Sequence, residues 1–234
     1  MTSQAFWILV ALEFRRSRRS LVRIGVFLLA VMVISLMVES PTSVLTFGLA
    51  VVGGALGMQI PVDALQDRLT GSLEVLTTLP VTPFTLAAAR LTAVVLVAAL
   101  GAVPMAAAGG IVGPAFLEDT GLIRIIMAAF LGAWTMLSAM SAVLLAVLLR
   151  FKVKPLVSYG AMVALGMLLG AGYLYDRLFG SPMRLIQAVM ASDHTLAIAV
   201  GSALVGSAVV LTASFVLTRR GFEIYQPEPD AMDW

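Results

Sequence analysis

Cysteine is absent from the 234 residues, which removes disulfides, thiolate nucleophiles and cysteine-ligated metals together. Histidine occurs once, at His194, so a metal site has no second imidazole to draw on. The neighbours Ser192 and Asp193 complete the composition of a hydrolytic triad, but residues adjacent in one loop cannot point at one another as a triad requires. No pair of carboxylates lies inside an apolar run to divide acid and base work. No Gly-x-x-x-x-Gly-Lys-Ser/Thr phosphate loop occurs. The expectation is a chain that is not an enzyme and holds no cofactor of its own.

Charge is also scarce, at 12% of residues, while 60% are hydrophobic and the mean hydropathy is +1.02. A soluble domain of this size does not need so much apolar side chain. A membrane-crossing helix takes about 20 mostly apolar residues, and six runs qualify: 21–38, 44–62, 84–108, 123–149, 156–174 and 195–217. The expected fold is therefore an all-α integral membrane protein with six transmembrane helices. Residues 1–20 precede them as an N-terminal amphipathic interfacial helix, in which Phe6, Trp7, Leu9, Val10, Ala11 and Phe14 form the apolar surface. Glu13, Arg15, Arg16, Arg18 and Arg19 form its charged end, suited to the headgroups of membrane lipids. Val38-Glu39-Ser40-Pro41 offers no small-x-small site, so cleavage as a signal peptide is not expected.

With the N-terminus inside, twelve of the 15 Lys and Arg residues fall on the cytoplasmic side and only Arg124, Arg177 and Arg184 outside. That bias sets the orientation. It puts both termini, the tail 218–234 and the segment 63–84 in the cytoplasm of a multi-pass protein. The basic cluster reads as topogenic; no aromatic or groove-reading pattern accompanies it, so nucleic acid is not an expected partner.

Inside the runs the polar content is mostly hydroxyl. Thr135, Ser138 and Ser141 are three apart and share one helix face, which makes them candidates for lining a pathway. Gly53 with Gly57 and Gly166 with Gly170 have the four-residue spacing that lets helices approach closely in lipid, within one chain or between two. No run carries an ionisable group at its centre; Arg23, Arg90 and Arg124 lie near ends, where long side chains can snorkel. Any transport must then draw its energy from another polypeptide.

Residues 63–84 are the one segment that burial does not account for. Asp67 and Arg68 are placed to cap the second run, Gly71 to turn the chain, and Pro80 to end a short helix. Between them Leu73, Leu76 and Leu79 form a stripe three residues apart, fit either to lie on the membrane surface or to dock a partner. The sequence Asp67-Arg68-Leu69-Thr70-Gly71-Ser72-Leu73-Glu74-Val75-Leu76-Thr77-Thr78-Leu79-Pro80 resembles, in order and spacing, the signature between the second and third spans of ABC type-2 permeases.

That resemblance implies several things. Asp67, Arg68, Gly71, Ser72, Leu73, Glu74, Leu76, Leu79 and Pro80 would form the cytoplasmic coupling helix that docks on a separate ATPase subunit, where ATP and Mg would be bound. The chain would be the permease of an exporter in a prokaryotic inner membrane, pairing with a second copy or a paralogue. Residues 175–194 would be the external re-entrant region before the last span. The Gly-Ser-Leu-Glu and Leu-Pro core is also similar to the haem-exporter permease of cytochrome c biogenesis. A non-transporting subunit that assembles or anchors soluble proteins through the same segment is the alternative from another class.

Overall fold

The computed structural model describes residues 3–35, 41–70, 81–115, 121–150, 189–190 and 192–224. These form α1 (Ser3–Ser35), α2 (Pro41–Gly57), α3 (Gln59–Thr70), α4 (Pro83–Val112), a 3-10 turn at Gly113–Ala115, α5 (Leu122–Arg150) and α6 (Asp193–Ile224). No strand occurs among the described residues. The fifth expected span, 156–174, lies outside them.

Helix α4 is the centre of the bundle and packs against every other helix. Its inward residues are small: Ala87, Ala93, Ala98 and Ala102 are fully buried alongside Val94 and Val97, and such residues let neighbouring backbones come close where lipid offers no hydrophobic drive between helices. Closest is the crossing with α2. A Cβ on Gly101 would stand 2.5 Å from Gly53 O and 2.7 Å from Gly57 N, so only hydrogen fits there. The outward faces are apolar too, with Val103 on α4, Met127 and Met136 on α5, and Val205 and Val209 on α6 all more than half exposed. Apolar inside and apolar outside is what a lipid solvent permits.

Helices α4, α5 and α6 are long and apolar enough to cross a membrane, and α2 with α3 makes a fourth if that bent pair counts as one span. The expected continuous span 44–62 is corrected here: the helix breaks at Met58 and turns by 45°. Pro61 is the physical reason, since it has no N–H to give to Gly57 O four residues back. Ser141 of α5 supplies the missing donor, its hydroxyl lying 2.7 Å from Gly57 O. Helix α1 runs without a break from the interfacial stretch into the first apolar run. Between Arg15 and Ile24 there is neither proline nor glycine to interrupt it, and 33 residues at 1.5 Å each give about 50 Å, longer than a bilayer core.

Helices α2 and α4 are antiparallel, as are α4 and α5. Helices α5 and α6 are parallel: Arg124 meets Asp193 at one end, 2.8 Å apart, and Leu149 packs on Gly221 at the other. Arg150 and Asp193 therefore stand at opposite ends of the pair.

Candidate functional site

At the end of the bundle opposite Arg124, Leu9 and Val10 of α1, Ile60 and Ala64 of α3, Leu86 and Ala87 of α4, Leu145 and Leu149 of α5 and Phe222 of α6 form one apolar core. A polar cluster is set into it. Thr82 caps α4, accepting a hydrogen bond from the backbone N–H of Thr85, and Pro83 sits at the first helical position, where its fixed φ favours the start of a helix. Two turns further on, Arg90 points inward.

The guanidinium of Arg90 donates through Nε to Glu13 Oε1 of α1 at 2.8 Å and through Nη2 to Asp67 Oδ2 of α3 at 2.5 Å. Its central carbon lies 5.7 Å from the ring centre of Phe222, within the range of a cation–π contact. Arg90, Glu13 and Asp67 are 3%, 6% and 1% exposed. Charges buried this deeply persist only when paired, and here one cation serves two anions from two other helices. Glu13 Oε2 and Arg90 Nη1 are buried with no hydrogen-bond partner among the described residues.

This geometry corrects two expectations. Arg90 does not snorkel to a membrane edge; it is enclosed by the core. Asp67 does not cap an exposed helix end, because Ile60, Asp63, Ala64 and Asp67 share the inward stripe of α3 and all are buried. The clue available in the sequence was Glu13. It falls on the stripe of Phe6, Leu9 and Val10, and an acid at a core position of an amphipathic helix requires a cation opposite it. Trp7, Ile8 and Leu12, on the other side of α1, are exposed.

The remaining candidates are placed as follows. The side chain of Arg68 and residues Gly71, Ser72, Leu73, Glu74, Leu76, Leu79 and Pro80 lie outside what is described, as do Gly166 and Gly170. Gly53 and Gly57 are used within the chain, against Gly101 and Met105 of α4 and Leu137 of α5. Thr135, Ser138 and Ser141 are brought together on one buried face. Thr135 Oγ1 donates to the backbone oxygen of Leu131 at 2.9 Å, Ser141 bridges to the α2 break, and Ser138 Oγ has no partner among the described residues. Ser192 accepts from the N–H of Thr195 at the start of α6, and Asp193 pairs with Arg124; these are roles in capping and tying the helix.

The chain is an all-α, multi-span membrane protein. Comparisons with protein families, curated proteins and solved structures return no match.

Proposed function

We propose that this protein is the permease subunit of an ATP-binding cassette exporter, driven by a separate cytoplasmic ATPase that docks on residues 67–80. The observation that carries the reading is the position of Asp67. It opens the sequence that resembles the coupling helix, and through Arg90 it is bonded to both α1 and α4. A push on the segment beginning at Gly71 would reach three helices through one guanidinium.

The topology supports the same reading. Six crossings follow if α1 makes the first, α2 with α3 the second, and the apolar stretch 156–174 makes the return between the parallel helices α5 and α6. An even number puts both termini on the side that holds most of the Lys and Arg. The described small-residue crossings are used internally, so the path is proposed to form between two permease copies or paralogues; Thr135, Ser138 and Ser141 are buried within the chain and would line such a path only after the helices part.

The test is to look for an ABC-type ATPase encoded beside this gene and to co-express it with this chain; the absence of any such gene there would count against the exporter. The two should co-purify, and the pair in lipid should hydrolyse ATP faster than the ATPase alone. Glu74→Lys should insert normally and lose that stimulation. A stable complex whose stimulation is untouched by Glu74→Lys would reduce Glu74 to a surface charge, and docking without any flux would favour the anchoring role.

A further inference from the structure

Glu13, Arg90 and Asp67 together carry two negative charges and one positive. In a one-to-one buried pair, moving either partner strands an uncompensated charge and so resists motion. In this cluster, if Asp67 moves away with α3, Arg90 keeps Glu13 and the pair left behind is neutral. Were Glu13 absent, the same motion would leave the guanidinium alone in the apolar core formed by Leu86, Leu149 and Phe222.

The fold offers α3 a place to pivot. It is a separate helix of 12 residues, set at 45° to α2 across Met58; Met58 N–H still donates to Gly54 O and Val62 N–H to Met58 O, but the rung from residue 61 to Gly57 O is missing because Pro61 cannot donate, and a side chain, Ser141, takes its place. Its internal order is independent of that joint, since Gln59 Nε2 donates to Asp63 Oδ1 at 2.7 Å within the same helix. At its far end stands Asp67.

We propose that Glu13 is a positioning residue for the segment that follows α3: it retains Arg90 when Asp67 leaves, which lets α3 pivot at Met58 without stranding the guanidinium in the core. The use of that pivot in coupling rests on the docking role proposed for residues 71–80; the pivot itself does not.

The proposal requires the two carboxylates to have opposite effects on α3. The experiment is hydrogen–deuterium exchange of the α3 amides in the full chain, reconstituted in phosphatidylglycerol–phosphatidylethanolamine nanodiscs. Glu13→Gln should slow exchange in α3 by about threefold or more, because opening would now isolate Arg90; Asp67→Asn should speed it by a similar factor. Glu13→Asp, which keeps the charge, should stay near wild type. Each single variant leaves Arg90 one partner and should fold, whereas Glu13→Gln combined with Asp67→Asn should lower the melting temperature by more than the sum of the two. If both single variants speed exchange alike, if neither changes it, or if Glu13→Gln alone fails to fold, the cluster is a plain staple and the proposal falls. Opposite effects on α3 in a chain that docks no ATPase would keep the pivot and remove the exporter.

Discussion

Arg90→Gln would take from Glu13 and Asp67 the cation they share in the core, and breaking a buried ion pair by removing one partner costs roughly 3–5 kcal/mol. The variant should unfold at correspondingly lower denaturant in mixed micelles, or fail to accumulate in the membrane. Arg90→Lys should fall between it and wild type. A lysine keeps the charge but is a compact point, whereas Arg90 reaches two acids on two helices through separate nitrogens. A Lys variant as stable as wild type would mean that charge alone, and not the fork, holds α1 and α3 to α4. The aromatic contact from Phe222 is common to all three forms and does not enter the comparison.

Among the helices, the break between α2 and α3 makes the sharpest prediction. Ser141→Ala removes the hydroxyl that satisfies Gly57 O, and a buried acceptor left unmade costs about 1–3 kcal/mol. Pro61→Ala restores the backbone donor that Gly57 O lacks. In the Pro61→Ala background, Ser141→Ala should therefore cost much less, and a double-mutant cycle on unfolding free energy reads the difference directly. Additive losses would show that Ser141 acts through packing. The long apolar helices α4, α5 and α6 were legible from hydropathy alone, and the capping of α4 by Thr82 and Pro83 follows from local chemistry. The bend is not legible in hydropathy, because the run 44–62 stays apolar on average across the break and a proline near the end of such a run is equally compatible with one continuous span. The ion cluster is hidden in the sequence for a different reason. Glu13 and Arg90 are 77 residues apart, and no local pattern joins them until the stripes of α1 and α3 are known to face the same helix.

For the whole molecule, the proposed topology can be checked because the chain has no cysteine of its own. A single cysteine at Ser72 or Lys152 should resist an impermeant thiol reagent in intact cells, whereas one at Asp119 should react. Labelling at position 72 from outside would invert the orientation and with it the docking role of that segment. Reaction at both 119 and 152 would deny that α5 crosses.

The shared cation of α4 also sets an order of assembly. Glu13 is synthesised 77 residues before Arg90 and Asp67 23 residues before it, which at 5–20 residues per second amounts to roughly 4–15 s and 1–5 s. During that interval both acids exist without their arginine and must stay hydrated at the membrane surface. Helix α1 therefore cannot seat its inner stripe, nor α3 its own, until the first two turns of α4 have emerged. The arrival of Arg90 closes this end of the bundle, and the earliest helices are locked by a residue of a later one.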